Sequence, residues 1–107
     1  MDQFDIKRDG TVLTIVSLGN FTAALIPDLK SATQRAIEEG VTKIVFDLGK
    51  TAILDSTGIG FMIAACNSLA KKGGTIHVIN VSSDIVRLLQ SMRLDQRLGV
   101  EAANREK

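Results

Sequence analysis

Asp55-Ser56-Thr57-Gly58 is the stretch whose residue types and placement could carry a regulated chemical event. Three small polar side chains stand immediately before an apolar pattern, Ile59, Met62, Ile63, Cys66, Leu69 and Ala70, whose spacing predicts a helix. At a helix start the free backbone N–H groups and the positive end of the dipole would stabilise a phosphate attached to a hydroxyl there. The same residues are what any helix N-cap needs, so on spacing alone they read as a cap.

Other chemical readings fail on residue type or spacing. Gly49-Lys50-Thr51 looks like the end of a phosphate-binding loop, but Ile44 occupies the position of its first glycine. Gly58-Ile59-Gly60 begins a dinucleotide fingerprint, but Ile63 stands where the third glycine belongs. His77, the single histidine, lies in a strand-like run and removes histidine-rich metal sites from consideration. Cys66 lies on the apolar stripe, where a thiol packs as a small hydrophobe. Asp47 and Asp55 are carboxylates without an accompanying base or metal partner. The expectation is a protein that is not an enzyme and that carries no cofactor or metal.

The elements that must position Ser56 follow from periodicity and punctuation. Phe4–Lys7 and Thr11–Leu18 read as strands joined by a turn at Asp9-Gly10. Leu25, Leu29, Ala32 and Ala36 mark a first helix from about Leu25 to Glu39, with Pro27 in its first turn and Gly40 as its stop. Lys43–Leu48 is a short apolar run, the signature of a strand inside a sheet. Thr51–Leu54 is a brief extended segment leading to the helix that starts at Asp55–Gly58 and ends at Lys71-Lys72-Gly73-Gly74. Thr75–Ile79 is a further strand, and Ser82 or Ser83 caps a third helix carrying Ile85, Val86, Leu88, Leu89 and Met92. Leu98-Gly99-Val100 adds a short strand or a turn, and residues 101–107 form a frayed polar tail. Alternation after the hairpin predicts an α/β fold with a mixed, largely parallel sheet.

Composition sets the outer bounds. A chain of 107 residues with 45% hydrophobic and 23% charged residues suits one soluble domain, with a core over about 4–100. Thirteen basic residues against twelve acidic ones leave a net charge of +1, no excess field for nucleic acid or an anionic membrane. No apolar run approaches a membrane span, and the first residues lack a signal-peptide pattern. One cysteine cannot form an internal disulfide, which points to a reducing, cytoplasmic setting.

Ile53-Leu54-Asp55-Ser56-Thr57-Gly58-Ile59-Gly60, with Ile44–Leu48 before it and Lys72-Gly73-Gly74-Thr75 after it, resembles the STAS domains. The resemblance, reinforced by Val86-Arg87-Leu88-Leu89, is specifically to the anti-sigma factor antagonists of bacterial partner switching and covers about residues 11–100. It implies a four- to five-stranded mixed sheet with helices packed on one side. It also implies a non-enzymatic binding switch. The unphosphorylated antagonist would bind an anti-sigma factor with serine kinase activity, and a PP2C-type phosphatase would reverse the modification. Residue by residue, Ser56 is the implied phosphoacceptor, and Asp55, Thr57, Gly58 and Ile59 form the partner-facing helix start.

This chain departs from the family pattern at Gly19-Asn20-Phe21-Thr22, where many antagonists carry acidic residues at the positions of Asn20 and Thr22, and at Met92-Arg93-Leu94, where a glycine is usual at Arg93. Phe21 is either a partner-binding anchor in that loop or a core residue beneath it. The competing function is a constitutive STAS scaffold subunit of a larger signalling or transport assembly. An exposed patch of Phe21, Ile59 and Met62 would favour it. A phospho-aspartate receiver would need an acidic pair after its first strand and a late lysine at a strand end, and neither is apparent.

Overall fold

Alternating burial along three successive strands defines the architecture. In the computed structural model, which describes residues 3–103, β1 (Phe4–Asp9) and β2 (Val12–Ser17) form an antiparallel hairpin. A short 3-10 turn (Ala23–Leu25) leads into α1 (Ile26–Glu38), followed by β3 (Lys43–Asp47), α2 (Ser56–Ala70), β4 (Thr75–Val81), α3 (Ser83–Ser91) and β5 (Val100–Ala102). The sheet order is β1-β2-β3-β4-β5, with every pairing after the hairpin parallel. Each crossover steps one place in the same direction, so right-handed connections put all three helices over one face. Accordingly Leu13, Ile15, Ile44, Phe46, Ile76 and Val78 are buried, whereas Val12, Thr14, Val16, Val45, His77 and Ile79, between them on the opposite face, are only partly covered. The chain thus forms the expected mixed α/β sheet with helices on one side.

Several boundaries move for identifiable reasons. The hairpin turn is Gly10-Thr11, one residue later than expected, because Asp9 remains in the ladder opposite Val12. Leu25 lies in the 3-10 turn and not in α1, while Pro27 occupies the first turn of α1 as expected. The buried side of α2 is carried by Ile59, Phe61, Met62, Ala65 and Leu69. Ile63 and Cys66 are half-buried and Ala70 is exposed. Cys66 is therefore not a full core residue; its Sγ lies 3.7 Å from the Arg97 carbonyl oxygen. At the far edge, β5 extends through Glu101 and Ala102, so the polar tail starts later than residue 101. Residues 104–107 lie outside the described residues.

The three helices close alike. After α1, Gly40 N–H donates to the Ile37 carbonyl and Val41 N–H to that of Ala36; after α2, Gly73 donates to Ala70 and Gly74 to Leu69. After α3, Arg93 donates to Gln90 and Leu94 to Leu89. Each pair is the Schellman pattern, which requires a left-handed residue just past the helix. Gly40 (φ 107°) and Gly73 (φ 75°) meet that requirement without a Cβ, but at the third site Arg93 is held at φ 59°. The departure from the family pattern is thus a strained backbone position as well as a changed surface. Arg93→Gly should raise the free energy of unfolding by about 0.5–1 kcal/mol, measured by urea denaturation. An unchanged or lowered stability would show that the Arg93 side chain offsets its backbone cost.

Candidate functional site

The site begins at the carboxyl end of β2, where two buried hydroxyls converge on one carbonyl. Ser17 Oγ and Thr51 Oγ1 donate to the Gly19 oxygen at 2.8 and 2.9 Å, fastening the loop after β2 to the loop after β3. Ile53 N–H donates to Asn20 Oδ1, Phe21 N–H donates to the Ile53 carbonyl, and Asp55 N–H donates to the Phe21 carbonyl. The pairing of Phe21 with Leu54 is a single parallel bridge. Below it the Phe21 ring meets Phe46 of β3 edge-on, with centroids 5.9 Å apart, and tilts against Phe61 of α2 at 6.3 Å. Such aromatic pairs are each worth about 0.5–1.5 kcal/mol beyond the area they bury. Asn20 therefore positions the neighbouring loop, a local role that the absent acidic residue would not have suggested.

Asp55 completes the junction. Its Oδ1 accepts from Gly58 N–H at 2.8 Å, capping α2, and its Oδ2 accepts from Ala23 N–H at 3.3 Å. One carboxylate thus satisfies free donors at the starts of two helical segments, where negative charge is also favoured by the helix dipole. Because Asp55 is the cap, Ser56 is released from that task. It stands at the first residue of α2, exposed, with the exposed Thr57 beside it.

Gly58 makes the close packing possible. A Cβ there would lie 2.6 Å from the Phe21 ring and 2.7 Å from its carbonyl oxygen, closer than carbon and oxygen atoms can approach. The family resemblance implies a partner-facing Gly58; here it is buried, and this close approach makes it the seat of Phe21.

The structure corrects other expected partner residues in the same way. Phe21 is 0% exposed, Ile59 4% and Met62 0%. All three side chains are buried in the core, so they form no exposed apolar patch of the kind that would favour a constitutive scaffold. Phe21 is an anchor of the fold beneath the loop, the second of its two readings. Ser56 and Thr57 remain at the surface, together with Ile53, which is 53% exposed. Sequence reasoning passed over Ile53 because it read residues 51–54 only as a connection. The signal was its alternation with Leu54, which is buried in the bridge to Phe21. Among the described residues no group of three His, Cys, Asp or Glu side chains could hold a metal ion. No helix among them is long and apolar enough to cross a membrane.

A family model for the STAS domain matches residues 3–106. The chain belongs to the STAS domain family. Solved structures of similar fold include the SpoIIAA anti-sigma factor antagonist from Bacillus. Its phosphorylated form aligns at 18% identity, TM-score 0.77, over 92% of this chain and 90% of that one. Its unphosphorylated form aligns at 18% identity, TM-score 0.73, over 81% of each chain. An anti-sigma factor antagonist from Mycobacterium paratuberculosis aligns at 19% identity, TM-score 0.76, over 92% and 83%. The fold also occurs within the murine Solute Carrier 26 family member A9 anion transporter, at 14% identity and TM-score 0.64, over 92% of this STAS chain but 17% of the transporter. At these identities the likeness establishes the fold.

Substitutions at two positions test how the site is held. Asp55→Ala should lower the free energy of unfolding by about 1–2 kcal/mol, while Asp55→Asn, which keeps an oxygen for Gly58, should recover most of that loss. Gly58→Ala should cost about 1–3 kcal/mol by forcing Phe21 from its seat. Denaturant unfolding of the three variants reads both effects. Asp55→Ala indistinguishable from the parent would contradict the double cap.

Proposed function

We propose that this STAS domain is a non-enzymatic anti-sigma factor antagonist of the cytoplasm whose binding is switched by phosphorylation of Ser56. The observation that carries the reading is the division of labour at the start of α2: Asp55 caps the helix and leaves Ser56 exposed at its first residue. A hydroxyl committed to the cap would be a poor kinase substrate; an exposed one beside a rigid helix end is presented to a kinase active site. Support also comes from the fold shared with SpoIIAA, an anti-sigma factor antagonist solved in both phosphorylated and unphosphorylated forms.

In this reading the unmodified surface of Ile53, Ser56 and Thr57 binds an anti-sigma factor that is also a serine kinase. Half-exposed Ile53 supplies apolar area and the two hydroxyls supply polar contacts. Transfer of a phosphoryl group from ATP, which belongs to the kinase, adds about −1.5 to −2 charge and three acceptor oxygens beside the Asp55 carboxylate. A nearly neutral contact patch then carries a clustered negative charge whose desolvation opposes docking. The fold need not change, because N–H groups at the start of α2 can donate to the phosphate oxygens and act as a local counter-pole. A PP2C-type phosphatase restores the binding form by hydrolysis. Asp55 acts as a positioning residue that holds the helix start in place.

Ser56→Ala should co-purify with its kinase and resist modification, whereas Ser56→Glu should lose at least ten-fold in binding, with thermal midpoints within about 2 °C of each other. Tagged variants recovered from the source cells, with bound proteins identified by mass spectrometry, make the comparison. Equal binding by both would contradict the switch and favour a constitutive scaffold subunit. An Ile53→Asp variant should weaken binding without removing the phosphoacceptor; undiminished binding would remove Ile53 from the contact surface.

A further inference from the structure

From Thr57, beside Ser56, to the far end of α2, the outer surface of the helical layer has a trough that the fold leaves unfilled. Its two banks are built on one spacing. On α1 they are Ile26, Lys30, Thr33, Gln34 and Ile37; on α2 they are Thr57, Phe61, Ala64, Ala65 and Ser68. Both series run i, i+4, i+7, i+8, i+11, which keeps each on one face of its helix for three turns, about 16 Å.

The trough exists because the α2 bank is mostly small. Thr57, Ala64 and Ser68 are exposed but too short to meet α1, so solvent reaches a floor of Phe61, Ala65 and Ile37. The hollow has a volume of about 260 Å³. A second hollow of about 340 Å³, sharing Gln34, Ile37 and Ser68, continues it to Lys71 and Lys72 at the end of α2. Thr33 is 3% exposed, and its Oγ1 has no hydrogen-bond partner among the described residues.

Charge selects the occupant. The rim carries three cations, Lys30, Lys71 and Lys72, against a single acid, Glu38. A second copy docked by two-fold symmetry would set this basic rim against itself, which is unfavourable. A straight apolar channel between two parallel banks, three turns long, has the dimensions of a third helix laid over the pair.

We infer that the α1–α2 trough is a docking surface for an amphipathic helix of a partner protein, one whose apolar stripe is flanked by carboxylates. The stripe lies over Phe61, Ala65 and Ile37, and the carboxylates meet Lys30, Lys71 and Lys72. The trough shares only Thr57 with the proposed contact surface at Ser56, and its test is read along the rest of its length, at Gln34, Ala64, Ala65 and Ser68.

The probes are two 15-residue alanine-based peptides with leucines at i, i+4, i+7 and i+11, one flanked by glutamates and one by lysines, together with dodecanoate. Each is titrated into the full-length, 15N-labelled protein at low salt. The glutamate peptide should shift the amides of Gln34, Ala64, Ala65 and Ser68. Ala64→Arg and Ser68→Arg, both at exposed positions, should abolish those shifts with thermal midpoints preserved. Lys71→Glu combined with Lys72→Glu should weaken the peptide at least ten-fold. Absence of shifts to millimolar peptide, equal binding of the two peptides, shifts confined to the open sheet face, or binding of dodecanoate alone would each overturn the inference.

Discussion

The Asp55 carboxylate accepts from amides in two different helical segments, Gly58 in α2 and Ala23 before α1, and the surroundings of Ser56 depend on that shared acceptance. Without it both segments would present free backbone donors side by side, Gly58 at the start of α2 and Ala23 at the start of the 3-10 turn. Tying both to one carboxylate brings the loop after β2 against the loop after β3. Phe21 is then driven into the aromatic core through the gap that Gly58 leaves. Capping, close approach and core packing are therefore one constraint. A change in any of the three residues is felt by the other two.

This constraint fastens the site at several points although it is made of loops. The Gly19 carbonyl is held by two hydroxyls, the Ile53 amide by Asn20, and the Phe21 backbone by both Ile53 and Asp55. Such a frame presents Ser56 at a fixed place on the surface and isolates the core from what happens there. A charge added at Ser56 meets solvent, the helix start and whatever partner is docked, and has little leverage on the sheet beneath.

Much of the architecture was legible in the sequence because it rests on local signals. Hydrophobic periodicity marked all three helices, and Gly40 and Gly73 marked two of their ends. The short apolar run at Ile44–Leu48 reported a strand covered by helices. The cap at Asp55–Thr57 was legible as a group, but which side chain performs it was not. That choice depends on Ala23, thirty-two residues away, offering Asp55 a second donor. The inward turn of Phe21 was equally hidden, since it follows from the missing Cβ of Gly58, a contact between distant segments. Arg93 was noticed for its type; its left-handed backbone became visible only once α3 was seen to close like α1 and α2. Ile53 was missed because its alternation with Leu54 spans a single bridge, too short to stand out from a connecting loop.

Whether Ser56, freed from capping, is used as a phosphoacceptor decides between a switch and a constitutive binding domain. The most direct measurement is the intact mass of the protein purified from the cells that make it, with the modified peptide mapped by fragmentation. A switch at Ser56 requires a population heavier by one phosphate, carried on Ser56 and removed by a PP2C-type phosphatase. An unmodified chain, both from cells and after incubation with ATP and the serine kinases that co-purify with it, would contradict it and leave Ser56 as an exposed residue of a constitutive binding domain.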